Sequence, residues 1–309
     1  MGKKRFFDDR LKYLSFIQNT SEKRAISEQL APHIASMEQN RTFLRVLDAG
    51  TGDGTVKSNV IKTFHKYHPY TSLLITGKEI SYEDLKNTLE KMPDRFVEHP
   101  NLLVTMTNVK FAELGHIESS NKIKGKNVKS YTLVLKDDNS FDFHAQINKL
   151  NSFIKKNWGI EIDNKSRTSY ANPCIIRIYR EDHKRYIEPF IDNDYKNNNY
   201  DLIIASQAYR AASEVKTKVN NVIAPLMRLL NKSGKLLVTH SCGGDTVEKI
   251  LKVAWKDKNP FPNKAKDIID FLKNNPVGEN NKYVYSKPKP YTFNFKRSPD
   301  QTVSELFGH

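Results

Sequence analysis

Seven residues, Asp48-Ala49-Gly50-Thr51-Gly52-Asp53-Gly54, carry the pattern in this chain best suited to chemistry. An acid stands two residues before the first of three glycines at alternate positions, and the apolar pair Val46-Leu47 precedes the acid. Glycine permits positive φ and lets a ligand come close to the backbone. A turn of this kind, set between a strand end and a helix N-terminus, offers N–H groups and a helix dipole to a carboxylate or a phosphate. Glu79 follows 25 residues beyond Gly54, at the end of the next predicted strand, where an acid can accept both hydroxyls of a ribose. Turn, helix, strand and acid together specify a nucleoside site at the carboxyl ends of parallel strands.

Spacing narrows the choice of nucleoside. A Walker loop needs G-x-x-x-x-G-K-[ST]; Lys57-Ser58 follows Gly54 with two residues between, so that pattern fails. A dinucleotide turn reads G-x-G-x-x-G, whereas Gly50-x-Gly52-x-Gly54 has one residue in its last gap. Asp48 would repel a pyrophosphate and suits a ligand carrying a positive amino group. Elsewhere, His65 and His68 stand at the spacing of a metal pair, but no carboxylates accompany them, and a solvated helix end is expected. The run Ser241-Cys242-Gly243-Gly244-Asp245 has the wrong order for a nucleophile elbow.

The elements that must position these residues follow from periodicity. Residues 3–40 show helical spacing, with Pro32 expected to kink or split the second helix. From residue 43, short apolar runs alternate with amphipathic stretches. Strands are predicted at 43–50, 71–81, 100–109, 200–209 and 234–241, with helices at 55–69, 82–96, 211–234, 245–258 and 263–275. Runs such as Leu73-Leu74-Ile75 and Leu202-Ile203-Ile204 suit strands buried on both faces. The predicted fold is α/β: a Rossmann-like, doubly wound, mostly parallel sheet. The organisation expected is an N-terminal helical region over 1–42, a nucleoside-binding domain formed by 43–115 and 200–309, and an inserted α+β subdomain or lid over 116–199. The insertion holds predicted strands at 131–138 and 173–182 around a helix at 143–158. Strand character returns near Tyr283–Tyr285 and 292–295, where the tyrosines suit edge-strand packing, and a last sheet strand is expected to be missing.

At this point the chain resembles the class I S-adenosylmethionine-dependent methyltransferases. The matching stretches are "LDAGTGDG", "ITGKEIS", "TMTNVKF", "YDLIIASQAY" and "GKLLVTHS", covering about 45–115 and 200–275 in the family's order. The lead-in "YLSFIQNTSEKRAISEQL" is similar to the N-terminal helices of the histamine N-methyltransferase-like small-molecule group. The resemblance implies S-adenosyl-L-methionine as cofactor, held by Asp48, Gly50, Thr51, Gly52 and Gly54 at the turn and by Glu79 and Ile80 at the ribose. It places Thr107 and Asn108 beside adenine, where the family's usual acid is absent, and Ser206 near the sulfonium. Gln207 and Tyr209 would orient the methyl acceptor, and His240, after the fifth strand, is the best-placed histidine for proton transfer. An Asn-Pro-Pro-Tyr run, which marks nucleobase amino methylation in some relatives, is replaced here by Ser206-Gln207-Ala208-Tyr209.

Composition bounds the partners. The 309 residues are 38% hydrophobic, sufficient for a real core at this length. Mean hydropathy is −0.64, and no apolar stretch is long enough to span a bilayer. The basic start is interrupted by Asp8, Asp9 and Arg10, so it lacks a signal peptide's apolar region, and Phe6 breaks the myristoylation pattern. Two distant cysteines, Cys174 and Cys242, argue against a disulfide framework and fit a reducing cytoplasm. A net charge of +15 admits a nucleic-acid partner. Lysine excess over arginine, and the lack of an aromatic ladder, favour a compositional origin for that charge. The expected acceptor is a small molecule. The alternatives are an RNA or protein acceptor, or a non-catalytic binding protein that keeps the fold.

Overall fold

The computed structural model describes residues 20–38, 41–117, 121–162, 168–192, 199–243, 261–278 and 283–292. The helices expected before residue 20 and over 245–258 lie outside the described residues.

Helix α1 (Glu22–Ala35) buries Ile26, Leu30 and Ile34 at helical spacing, and Pro32 sits in its last turn without splitting it. Strand β1 (Phe43–Asp48), helix α2 (Thr55–Tyr67) and strand β2 (Ser72–Lys78) follow. Helix α3 (Tyr82–Glu90) is capped by Ser81, whose hydroxyl accepts from the Asp84 N–H. Pro93 opens a further helix, α4 (Pro93–Glu98), at a position where its missing N–H costs nothing. Strand β3 is Leu102–Thr107.

The segment expected as an insertion is built into the same sheet rather than standing off as a lid. It contains a short ribbon, β4 (Lys122–Ile123) with β5 (Lys126–Asn127), and strand β6 (Lys129–Leu135). The single helix expected there is two, α5 (Ser140–Asn148) and α6 (Leu150–Asn157). A second ribbon, β7 (Ile160–Ile162) with β8 (Thr168–Tyr170), leads to β9 (Cys174–Arg180). Strand β9 pairs antiparallel with β3 and parallel with β6. Leu135, Phe143, Ile147, Leu150, Ile154, Trp158 and Ile176 belong to the same core cluster as Val46, Ile75 and Val104, which is why the segment is not separate.

Strand β10 (Tyr200–Ser206) returns to the centre, a helix over 215–227 (α7) follows, and β11 (Leu230–Thr239) forms the far edge. Residues 219–223 of α7 are a π-helical turn just before Pro225, which lacks the N–H an α-turn would use there. The expected helix through residue 234 stops early. Ser233 has φ 70°, and a Cβ at Gly234 would lie 2.6 Å from the Tyr200 carbonyl oxygen. The β10–β11 register shifts between Tyr200 and Leu202, so β11 starts at Leu230 and bulges at this point. Helix α8 spans Ala265–Asn274.

The seven-stranded sheet runs β11-β10-β1-β2-β3-β9-β6, a mixed, mostly parallel, Rossmann-like α/β fold. Alternate residues serve opposite faces: Val46, Ile75 and Ile204 pack in one cluster, Leu47, Ile203 and Ala205 in another. Residues 283–292 form no strand, contrary to the expectation near Tyr283–Tyr285, and residues 293–295 of the other expected strand lie outside the described residues. The Tyr283 hydroxyl instead donates to the Met227 carbonyl at 3.1 Å, and Tyr291 packs against the main core. Among the described residues no helix is long and apolar enough to cross a membrane.

Candidate functional site

The chain lays down β1, β2 and β3 outward in one direction, then returns to place β10 on the other side of β1. Loops after β1 and β10 therefore diverge, and the crevice between them is where open α/β sheets bind ligands. The glycine turn lies at this point. A Cβ at Gly50 would rest 3.4 Å from the Ser206 carbonyl oxygen at the end of β10.

Gly52 and Gly54 have φ 56° and 78°, and Gly54 is the N-cap of α2. A Cβ at Gly54 would also come within 2.7 Å of the Thr88 backbone, so α3 packs against the turn at a distance only glycine allows. The turn is fastened from both sides. The Thr51 N–H donates to the Lys78 carbonyl (3.1 Å), the Gly52 N–H to Glu79 Oε2 (2.8 Å), and the Gly54 N–H to the Thr51 carbonyl (3.2 Å). The Thr88 hydroxyl donates to the Gly52 carbonyl, and Asp53 accepts from the Thr55 hydroxyl and N–H. These N–H groups are thus engaged within the protein, and the turn does not present the open row of donors that a phosphate loop does.

Glu79 is held by three backbone donors. Its Oε1 accepts from the Ile80 and Ser81 N–H groups at 2.8 and 2.7 Å, and its Oε2 accepts from Gly52. Burial and nearby Asp84 raise its pKa, while Lys78 and those N–H bonds oppose the rise. A carboxylate has room for about four donors, so about one acceptor position remains, on Oε2.

Asp48, the last residue of β1, is 1% exposed, and neither carboxylate oxygen has a hydrogen-bond partner among the described residues. Burial raises its pKa, and Lys57, Lys23, the Thr51 hydroxyl and the Gly50 N–H act in the opposite sense. Lys57 was visible in the sequence only as a misplaced Walker lysine. The structure puts it fully buried in the first turn of α2, with its ammonium 3.2 Å from the Met106 sulfur. The one sequence signal for it is Gly77, an isolated glycine inside a buried strand, which marks a close approach.

Thr107 and Asn108 are fully or nearly fully buried and join β3 to β9. The Thr107 hydroxyl donates to the Cys174 carbonyl; the Asn108 amide donates to the Asn172 carbonyl and accepts from the Cys174 N–H. Both side chains are therefore occupied by structural bonds.

Beyond β10, Gln207 has φ 55°, a left-handed conformation uncommon for a side-chain-bearing residue and characteristic of constrained sites. Its amide donates to Glu22 at 2.9 Å and to the Ser241 hydroxyl at 3.1 Å, tying α1 to the ends of β10 and β11. Tyr209 and His240 come together, with ring centroids 5.8 Å apart. His240 Nε2 lies 2.8 Å from the Asn263 carbonyl oxygen, so this nitrogen carries the proton and Nδ1 holds the lone pair. Burial lowers the His240 pKa, with the Asn263 carbonyl opposing. His240 Nδ1, the Tyr209 hydroxyl and the Ser206 hydroxyl are buried without hydrogen-bond partners among the described residues.

His65 and His68 are not a solvated helix end. His68 is 3% exposed and bonds the Ile34 carbonyl at the end of α1, and His65 Nδ1 meets His99 Nδ1 at 3.3 Å. No group of three or more metal-ligating side chains occurs among the described residues. A cleft of about 440 Å³ lined by Asp137, Asp138, Asn139, Asp142, Glu181 and Asp182 lies beyond the ends of β6 and β9. Since β9 runs antiparallel to β3, this cleft is at the amino-terminal end of the parallel strands, away from the glycine turn. Cys174 and Cys242 are both free. No protein-family model matches the chain, and no curated protein matches it either.

Proposed function

We propose that the chain is an S-adenosylmethionine-dependent methyltransferase acting on a small-molecule acceptor. The observation that carries this reading is the Asp48 carboxylate, buried and unpartnered beneath a glycine turn whose own N–H groups are largely engaged. Such a site favours a cationic nucleoside over an anionic one. A nucleoside bearing an amino acid through a sulfonium has that charge, and it supplies an electrophilic methyl group.

The residues then divide the work. Asp48 attracts the ligand's ammonium group. Glu79 has capacity for one ribose hydroxyl at Oε2, not for both. Gly50, Thr51, Gly52, Gly54 and Ile80 bring backbone close to the ligand, and contacts from the Thr107–Asn108 stretch to adenine fall to its backbone, because the side chains are engaged. Ser206, Gln207 and Tyr209 face the acceptor. His240, neutral with a free Nδ1 lone pair, would take the proton that an O–H or N–H nucleophile loses as its bond to the methyl carbon forms and the carbon–sulfur bond breaks. Alignment supplies most of the rate, and proton removal contributes about 10²–10⁴-fold.

Calorimetric titration with S-adenosylmethionine tests the reading. Micromolar binding by the wild type, lost in Glu79→Ala and in Gly52→Val, is the expected result. Absence of binding by the folded wild type would overturn it.

A further inference from the structure

Lys57 occupies a costly position. It is fully buried, it lies in the first turn of α2 where the helix dipole disfavours a cation, and its hydrogen bond is to a thioether rather than an oxygen. The fold makes room for it deliberately. A Cβ at Gly77 would strike Lys57 Nζ and would come within 2.7 Å of both Met106 Sδ and Thr51 Oγ1. A methionine or leucine would fill this space without burying charge. Gly77 is the register partner of Asp48 across β1 and β2, so the ammonium packs against the strand position beside the Asp48 carboxylate. Asp48 draws Lys57 toward its charged form, while burial lowers the ammonium to about 8.

We propose that Lys57 is a positioning residue: the fixed internal counter-charge that keeps Asp48 a carboxylate under the glycine turn, ready for the cationic amino group of an amino-acid-bearing nucleoside. This rests on the function proposed above. A fully buried carboxyl without a counter-charge takes up a proton, and a neutral acid no longer holds an ammonium group. Lys23, at the start of α1, also acts on Asp48, but it is the second and weaker cation there. Lys57 therefore stabilises ligand binding at the expense of the fold.

Two measurements test this in the full chain, using Lys57→Met, which keeps an unbranched side chain, one heavy atom shorter, and removes its charge. The first compares S-adenosylhomocysteine with 5′-methylthioadenosine, which lacks the amino-acid portion. Lys57→Met is expected to weaken the former by roughly 10- to 100-fold, the worth of one charge-assisted bond, and to leave the latter unchanged. In an Asp48→Asn background, Lys57→Met is expected to have no further effect. Unchanged affinity for both ligands, or equal loss of both, would overturn the proposal. The second follows the Asp48 carboxyl carbon by NMR across pH without ligand. Protonation at higher pH in Lys57→Met than in the wild type is expected, and coincident titrations would overturn the proposal. If the wild type binds neither nucleoside, the methyltransferase reading fails, and the Asp48 titration alone decides the role of Lys57. Lys57→Gln serves for both measurements if the methionine variant does not fold.

Discussion

Acid sensitivity of the fold is expected to centre on His99. Its side chain is fully buried, its Nε2 bonds the Thr71 carbonyl at 3.1 Å, and its Nδ1 faces His65 Nδ1 at 3.3 Å. The carbonyl requires the proton on Nε2, so Nδ1 is the lone pair that His65 donates to. Protonating the buried His99 ring places a second N–H on Nδ1, facing the His65 donor. Burial, then His65, lowers its pKa to about 4, with the Thr71 carbonyl opposing. The unfolded chain binds this proton near 6.5. Between these values the unfolded state holds more protons, so the stability is fully present above 6.5 and is lost as pH falls toward 4. The full loss is about 3 kcal/mol, and about 2 kcal/mol of it has gone by pH 5. Urea denaturation at pH 7.5 and pH 5, wild type beside His99→Gln, isolates the effect. Glutamine can donate to Thr71 and accept from His65 but does not titrate. The wild type is expected to lose about 2 kcal/mol more than the variant over this range. Equal losses would refute the assignment of the lone pair and of the burial cost to His99.

Two further outcomes follow from packing and from a buried ion network. Gly77→Ala drives a methyl group into Lys57, Met106 and Thr51, and is expected to cost about 1–3 kcal/mol, a loss relieved when Lys57→Ala is added. Additive losses in the double-variant cycle would show that the two sites do not touch. Asp201 accepts from Arg41 Nη1 (2.8 Å), the Arg45 N–H (2.8 Å) and the Asn231 amide (2.7 Å). Asp201→Asn puts a donor among donors and is expected to lower stability by about 2 kcal/mol, read by chemical denaturation.

The parallel half of the sheet was legible because its strands are continuous apolar runs and its helices have clear stripes, with β1, β2, β3 and β10 near their predicted places. The glycine turn and Glu79 were legible through spacing alone. What periodicity could not show was pairing. Nothing in "YTLVLKDD" or "PCIIRIYRED" says that β9 turns back along β3 and draws β6 into the sheet; that follows from the shared core of Leu135, Phe143 and Ile176. The start of β11 was hidden because Leu229-Leu230 continues the stripe of α7, and only the backbone at Ser233 and Gly234 breaks it. The buried histidines were misplaced because a partner such as the Ile34 carbonyl is close in space but remote in sequence. Lys57 was missed for the same reason, since its counterpart Gly77 lies on another strand.

The two ends of the central strands make opposite use of buried acids. At the amino-terminal end, Asp201 meets three donors and fastens β10 to β1 and β11. At the carboxyl end, Asp48 has none, and Ser206, Tyr209 and His240 keep polar atoms buried and unpaired. An unmet buried polar group costs about 1–3 kcal/mol, so these four side chains burden the fold. A sequence under pressure for stability alone would replace these groups, as it would replace Lys57. Their position at the switch point, with Gln207 held in a left-handed conformation among them, is what a site needs when its polar groups must answer to a ligand rather than to one another. Stability is therefore expected to rise, not fall, in Lys57→Met, with thermal unfolding as the measure. A clear fall would mean that Lys57 satisfies the interior of the fold itself.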